Sequence, residues 1–136
     1  MAFSNYSERG SQFAQERDKI SSIYAEAVRM IPPPANGGAA QRRRAYVYLL
    51  RSRQDGSYYV GWTTDVLRRL AEHNQGRSTY SRRKPPWQLM GVEVYVSSMA
   101  AKARERVLKR SPRNLARFKK RVLARAALGR PSQGVG

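Results

Sequence analysis

Five side chains in the middle of this chain are of the types that cleave phosphodiester bonds. They are Tyr48, Tyr59, Arg69, His73 and Glu105. Phenol and imidazole groups can take up or release a proton, and a guanidinium group presents a planar fork to phosphate oxygens. A carboxylate can hold a hard divalent cation. Together these residue types predict a site that hydrolyses phosphodiester bonds.

Each of these residues also has an ordinary structural explanation. A tyrosine in a strand usually packs in the core with its hydroxyl at the surface, and an arginine at a helix edge usually reaches toward water. His73 could be a satisfied residue at a helix end, and Glu105 could pair with Lys109 one turn away. The catalytic interpretation therefore depends on whether the five side chains meet at one point.

Glu105 is the expected ligand of a single metal ion. Basic residues surround it in sequence, so its carboxylate should stay ionised. Glu93 is the one competing acid of the basic part of the chain without a local structural explanation. One carboxylate plus several waters suits Mg²⁺ or Mn²⁺, and we predict one such ion.

The charge of the chain indicates its partner. Lysine and arginine number 27 against 9 acidic residues, for a net charge of +18. The first 41 residues are balanced, so the whole excess lies in residues 42–136. Phosphate contacts by basic residues release counterions and give strong, salt-dependent affinity. DNA is the predicted partner, with RNA as an open alternative. A membrane surface is disfavoured because the basic residues are scattered over several elements.

A basic segment between two predicted elements, residues 80–87, mixes aromatic and positively charged side chains. Such a segment can contact phosphates and stack on a base. It could equally be a solvated loop in which Trp87 anchors the next strand. The residues expected to contact nucleic acid are Arg68, Arg77, Arg82, Arg83, Lys84, Trp87, Lys102 and Lys109.

Several kinds of site are excluded by composition. The chain has no cysteine and one histidine, which rules out disulfides, thiolate zinc sites and multi-histidine metal sites. No apolar run approaches the ~20 residues that span a bilayer, and the start lacks a secretory signal pattern. We expect a cytoplasmic, nucleoid-associated protein.

The elements that must position these residues form three regions. Residues 1–40 predict an amphipathic helix over about 7–31, followed by a linker rich in proline and glycine. Residues 41–128 form the main domain, and residues 129–136 are expected to be disordered. The apolar stripe of the first helix needs a partner surface, on its own domain, on a second copy or on another protein.

The main domain predicts the order β-β-α-β-α-α. Strands over 45–50 and 58–62 flank an Asp-Gly hairpin turn, and Thr64 is the expected N-cap of the first helix. A third strand over 87–96 precedes a helix capped by Ser98 and another that begins at Ser111-Pro112. This order predicts an α+β fold, a small three-stranded antiparallel sheet flanked by helices, with an extra N-terminal helix.

Two tyrosine motifs, Tyr46-Val47-Tyr48 and Tyr59-Val60-Gly61, and the segment 61–74 resemble the GIY-YIG nuclease superfamily, most closely its small single-domain bacterial members. The resemblance covers roughly residues 45–126. It implies a metal-dependent DNA endonuclease of the kind that acts in repair or recombination on particular DNA structures. Tyr46 replaces the glycine that opens the first motif, and Trp62 stands where some relatives have lysine.

The resemblance also implies a role for each of the five residues. Glu105 matches the metal-binding glutamate, and Arg69 the arginine that holds the scissile phosphate. Tyr48 is implied as the base or as the group that orients the attacking water, with a pKa lowered by nearby cations or metal. Tyr59 shares that work or positions the phosphate, and His73 is a supporting polar residue. The alternative is a non-catalytic nucleic-acid-binding module that kept the fold.

Overall fold

The computed structural model of the protein describes residues 21–32, 44–76 and 84–129. Three strands, β1 (Ala45–Ser52), β2 (Tyr58–Thr63) and β3 (Trp87–Tyr95), form an antiparallel sheet in the order β2-β1-β3. Helix α1 covers residues 21–30. Three more helices follow in the main domain: α2 (Val66–Asn74), α3 (Ser98–Arg110) and α4 (Pro112–Gly129). The predicted α+β architecture is confirmed.

Strand β1 is central because its side chains are apolar on both faces. Every residue from Ala45 to Leu50 is buried, as expected for a strand covered on both sides. The connection to β2 is the predicted Asp-Gly turn. Gly56 adopts a φ of 75°, which favours glycine, and Ser57 donates its backbone N–H to Asp55 Oδ1 at 2.9 Å.

The two faces of the sheet carry different helices. Tyr46, Tyr48 and Leu50 point to one face and share a hydrophobic cluster with residues of α1 and α2. The intervening residues of β1 point to the other face and pack against α3 and α4. Because side chains alternate along a strand, Tyr48 is placed on the α2 side of the sheet.

A β-bulge modifies the predicted alternation along β3. Leu49 pairs with Gly91 but Leu50 pairs with Leu89, so the register shifts at Met90. Leu89 and Val92 therefore face the same cluster although they are three residues apart. The strand ends at Tyr95, one residue before the predicted end.

Helix α1 packs on its own chain. Ile23 and Ala27 are buried in the cluster that contains Tyr48 and Trp87. The apolar stripe of the described part of this helix therefore packs on the sheet of its own chain. The rest of the predicted helix, the linker after residue 32 and the predicted disordered tail after Gly129 lie outside the described residues.

Two helix starts differ from the prediction by one residue. Asp65, not Thr64, caps α2, because Asp65 Oδ1 accepts the backbone N–H of Arg68 at 3.1 Å. Ser97, not Ser98, caps α3 by the same geometry. Among the described helices, none is long and apolar enough to cross a membrane.

Candidate active site

The ring of Tyr48 lies across the neighbouring strand. Tyr48 pairs with Gly61 of β2, and a Cβ atom at position 61 would collide with the Tyr48 ring and hydroxyl. Glycine is needed here because of this close approach. The missing side chain on β2 lets the Tyr48 hydroxyl reach past the sheet backbone toward α2.

Helix α2 meets that hydroxyl with two side chains. His73 Nε2 lies 2.9 Å from the Tyr48 oxygen, and Arg69 Nε donates to the same oxygen at 3.3 Å. The predicted one-turn spacing of Arg69 and His73 therefore places both on the hydroxyl of a distant strand.

The direction of the proton in this network follows from the donors. Arg69 Nε can only donate, so the Tyr48 oxygen accepts from it. His73 is fully buried. Burial, together with the adjacent Arg69, lowers the pKa of His73 to about 4. His73 is therefore neutral near pH 7, and in the tautomer with its hydrogen on Nδ1 its Nε2 atom accepts the Tyr48 hydrogen bond.

Tyr48 itself is held as a phenol. Burial raises the pKa of Tyr48 well above its ordinary value, and the hydrogen bond from Arg69 offsets this only in part. The resemblance to the nuclease superfamily implied a pKa lowered by nearby cations. The groups of the protein do the opposite, because Tyr48 is 2% exposed and the desolvation of a phenolate dominates.

Arg69 is oriented by a second contact. Its NH1 atom lies 2.7 Å from Glu72 Oε2. The same carboxylate also forms a longer ion pair with Arg68, in which Glu72 Oε1 lies 3.8 Å from Arg68 Nε. Burial lowers the pKa of Arg69, but the hydrogen bonds with Glu72 and Tyr48 outweigh it and raise the value. A permanently charged guanidinium is thus fixed beside the Tyr48 hydroxyl.

Tyr59 stands in an aromatic group next to this network. Its ring centroid lies 4.7 Å from that of His73, 6.3 Å from Tyr48 and 6.2 Å from Trp87. Lys109 Nζ lies 5.6 Å from the centre of the Tyr59 ring. A cation from α3 therefore borders the tyrosine of β2.

Glu105 approaches from α3. Lys109 Nζ, the cation above Tyr59, lies 3.3 Å from Glu105 Oε1, and the Glu105 side chain is 19% exposed. The charge of Glu105 is one of the influences that raise the pKa of Tyr48. The expected ion pair with Lys109 is thus present. Tyr48, Tyr59, Arg69 and His73 meet from β1, β2 and α2, and the charge of Glu105 reaches Tyr48 from α3.

Glu93, the competing acid, has a structural role. Glu93 Oε1 lies 3.6 Å from Arg104 NH2 and 3.2 Å from Arg121 NH2, and so ties β3 to α3 and α4. Within the described ranges, no group of three or more histidine and acidic side chains could hold a metal ion together. Glu105 stays the predicted metal-binding carboxylate.

The seven basic residues expected to contact nucleic acid fall into three sets. Arg68, Lys102 and Lys109 are exposed on helices. Lys84 is also exposed but pairs with Asp55 at 3.2 Å. Arg77, Arg82 and Arg83 lie outside the described residues.

Trp87 is not available to stack on a base. It is 3% exposed and packs in the cluster beneath α1 and α2. The prediction of a nucleic-acid contact at Trp87 is therefore wrong, and the tryptophan anchors β3. An indole at the first residue of a strand buries its ring when a helix covers that end of the sheet.

Asn74, the last residue of α2, is a residue of the site's surroundings that the sequence analysis did not predict. Its side-chain Nδ2 donates to the backbone carbonyl of Trp87 at 3.1 Å, and its Oδ1 accepts the Trp87 N–H at 2.5 Å. This joins the end of α2, directly after His73, to the start of β3. Nothing in the local sequence signals such a long-range contact.

Comparison with known proteins agrees with the geometry. The pattern of the family described as the GIY-YIG catalytic domain matches residues 44–120. A UPF0213 protein of Streptococcus pneumoniae is 45% identical over 71 residues, 52% of this chain and 71% of that protein. A UPF0213 protein of Haloquadratum walsbyi is 41% identical over 80 residues, 58% of this chain and 84% of that protein.

Among solved structures, the solution NMR structure of a UPF0213 protein from Bacillus halodurans is 34% identical. It covers 57% of this chain and 83% of that protein, with a TM-score of 0.37.

The matched range contains both tyrosine motifs and the five candidate site residues, whereas α1 lies outside it. It also spans more than half of the 136 residues. The three relatives named above are UPF0213 proteins that match 52 to 58% of this chain at 34 to 45% identity. The chain therefore belongs to the GIY-YIG catalytic-domain family, with UPF0213 proteins as its relatives.

Proposed function

We propose that this protein is a metal-dependent endonuclease that hydrolyses phosphodiester bonds in DNA, with a preference for particular DNA structures. The family is one of nucleases, which makes nucleic acid the substrate class. One observation carries the proposal: the Tyr48 hydroxyl is held between neutral His73 and charged Arg69, with Glu105 approaching from α3. A protein that only binds nucleic acid has no need for a buried tyrosine–histidine pair.

Arg69 is the proposed phosphate-binding group. Its side chain is about one-third exposed, so one edge of the guanidinium faces solvent while Nε and NH1 are held by Tyr48 and Glu72. A fixed cation at this position would offset the negative charge that develops on the phosphate in the transition state. Because Glu72 holds Arg69 in place, little reorganisation is needed when the substrate arrives.

Glu105 is the proposed metal-binding group, and its surroundings fit a hard cation. It is a partly buried carboxylate that forms an ion pair with Lys109. Mg²⁺ commonly binds one or two carboxylates and fills its remaining positions with water and phosphate oxygens. When bound, the ion would supply positive charge to the phosphate and lower the pKa of a bound water.

Tyr48 and His73 are the proposed proton-handling pair. A phenol that donates to a neutral imidazole can accept a proton from an attacking water while its own proton passes to His73 Nε2, 2.9 Å away. The imidazolium formed in this way is buried beside Arg69 and is therefore short-lived. Its proton returns to the Tyr48 oxygen as Tyr48 gives the proton taken from water to the leaving oxygen of the DNA. Tyr59 borders the same space and would position the water or the phosphate.

The proposal is tested with a panel of branched, flapped, nicked and plain DNA substrates at low salt. Cleavage is expected with Mg²⁺ or Mn²⁺ and none with a chelator. Glu105→Gln should abolish cleavage and leave DNA affinity within a few fold. Asp55→Asn removes one negative charge at an exposed turn and should cleave like the wild type.

Two results would overturn the proposal. If DNA is bound but no substrate is cut with either metal, the protein is a binding module that kept the fold. If Glu105→Gln cuts as well as Asp55→Asn, the metal is not held by Glu105. Single-stranded and duplex RNA of the same sequence, tested in parallel, separate a DNA-specific enzyme from one that accepts both.

A further inference from the structure

Helix α1 lies outside the region shared with the family, yet it contacts the support of the candidate site. The family match begins at residue 44, whereas α1 covers residues 21–30. Ile23 is 1% exposed and Ala27 is fully buried, in the same cluster as Tyr48 and Trp87. The helix therefore covers part of the sheet face that carries the tyrosine network.

A polar contact links α1 to the end of α2. Tyr24 is half-buried and packs against the cluster that contains Trp87. Burial raises the pKa of Tyr24, and a hydrogen bond with the Asn74 side chain lowers it in part. The amide nitrogen of Asn74 carries two hydrogens, of which the Trp87 carbonyl accepts one, so the group can serve both partners.

Asn74 also binds the backbone of Trp87. Its two hydrogen bonds, to the N–H and to the C=O of the same residue, fix the start of β3 against the end of α2. A side-chain amide that satisfies both groups of one peptide residue restrains its position and its orientation. We call this pair of bonds the Asn74–Trp87 clamp.

Trp87 in turn forms a wall of the candidate site. Its ring centroid lies 6.2 Å from that of Tyr59 and 6.5 Å from that of His73. It is buried, so the ring has little freedom to move. A displaced indole would therefore shift the two rings that border the Tyr48 hydroxyl.

We propose that Tyr24 and Asn74 are positioning residues: α1 braces the Asn74–Trp87 clamp, and the clamp sets the Tyr59 and His73 rings against Tyr48. The consequence for cleavage rests on the proposed function, but the structural effect on His73 does not. Neither residue touches the reacting groups. The N-terminal helix is thus part of the site's scaffold, beyond the stability that its buried residues add.

The chain contains a built-in reporter for this idea. His73 is its single histidine, so the imidazole signals in an NMR spectrum belong to one residue. The experiment compares full-length wild-type protein with Tyr24→Phe, Asn74→Ala, Asn74→Asp and Glu26→Ala. Each protein is titrated with acid in the absence of DNA, and its thermal midpoint is recorded.

Glu26→Ala is the matched control on the same helix. Glu26 accepts a hydrogen bond from Gln88 Nε2 at 2.6 Å. This bond joins α1 to β3 without involving Asn74. Tyr24→Phe keeps the ring and its packing and removes only the hydroxyl. Asn74→Asp keeps the acceptor for the Trp87 N–H and loses the donor, so it serves if Asn74→Ala fails to fold.

We expect the His73 signals to move in Asn74→Ala and Asn74→Asp, and to a smaller extent in Tyr24→Phe. The pKa of His73 should rise from about 4 toward its ordinary value of about 6.5, because a loosened wall admits water. Glu26→Ala should leave the His73 signals and the pKa of His73 unchanged, even if the thermal midpoint of this variant falls. On a cleavable substrate, kcat should drop roughly 10-fold in the Asn74 variants with little change in KM, since small misplacements cost rate rather than binding.

Unchanged His73 signals in all of the variants would overturn the inference. So would a shift in Glu26→Ala as large as that in Tyr24→Phe, because it would show that α1 acts through general stability. If the wild-type protein cuts no nucleic acid but the His73 signals follow the expected order, the proposed function fails and the positioning role stands.

Discussion

The phenol of Tyr48 occupies the space that a side chain at position 61 would fill. A Cβ atom added to Gly61 would meet the Tyr48 hydroxyl and ring, because the two residues are direct partners on neighbouring strands. A Cβ atom added to the second glycine of the sheet, Gly91, would instead lie 2.6 Å from Val122 Cγ1, on the α4 side. Gly61 thus leaves room for the candidate site, and Gly91 leaves room for the core beneath it.

This relationship predicts different outcomes for two similar substitutions. Gly61→Ala should displace the Tyr48 ring and reduce cleavage by at least about 10-fold, since the hydroxyl loses its position between Arg69 and His73. Gly91→Ala should destabilise the fold by about 1–3 kcal/mol through overpacking and leave kcat near that of the wild type. Urea denaturation and single-turnover cleavage measure the two effects. Equal losses of activity at equal stability would contradict the assignment.

The Tyr48 hydroxyl is expected to matter more than that of its neighbour on the same face. Tyr48→Phe leaves Arg69 Nε and His73 Nε2 without their shared partner. It should lower kcat by roughly 10² to 10⁴-fold if the hydroxyl handles a proton. Tyr46→Phe, two residues earlier and also buried, is the control and should retain activity. The comparison fails if both variants lose activity to the same extent.

Adjacent arginines on α2 should separate chemistry from binding. Arg69→Gln should abolish cleavage and leave affinity within a few fold, because the side chain acts on the phosphate in the transition state. Arg68→Gln should keep kcat at saturating DNA and reduce the slope of log Kd against log salt by about 1. Titrations of DNA at several salt concentrations, with cleavage at saturation, distinguish the two. Loss of cleavage in Arg68→Gln alone would reverse the assignment.

The buried histidine makes stability depend on pH. The folded-state pKa of His73 is about 4 against about 6.5 in an unfolded chain, so the unfolded state binds the proton more readily. The free energy of unfolding is therefore highest above about pH 6.5. It falls by about 3 kcal/mol in all as the pH drops toward 4. Urea denaturation between about pH 4.5 and 7.5 measures it. His73→Gln should remove this dependence, and an unchanged slope in that variant would place its origin elsewhere.

Much of the fold follows from signals that act over a few residues. The Asp-Gly turn predicts the hairpin, alternation predicts the strands, and Ser111 followed by Pro112 predicts the start of α4, where Asn114 N–H donates to Ser111 Oγ at 3.2 Å. The one-turn spacing of Arg69 and His73 is also local, because residues four apart share a helix face. The order of the elements and the types of the site residues were therefore within reach of the sequence.

The misplaced details share a different cause. Trp87 lies in a segment that reads as basic and accessible, but α1 and α2 cover it. Glu72 pairs with two arginines of its own helix, and the shorter contact, 2.7 Å against 3.8 Å, is with Arg69, which also contacts Tyr48. The shift in β3 at Met90 depends on how the strand pairs with β1. No local sequence preference is strong enough to determine any of these three features.

By itself, the sequence determined which chemical groups are available and on which kind of element each one lies. Only the tertiary structure decided that Tyr48 lies across Gly61, that His73 is buried and neutral beside it, and that Asn74 holds Trp87. The physical reason is range. Turn chemistry and periodicity depend on neighbours along the chain, whereas burial and pKa values depend on contacts between residues far apart in sequence, which exist only once the sheet and helices have packed.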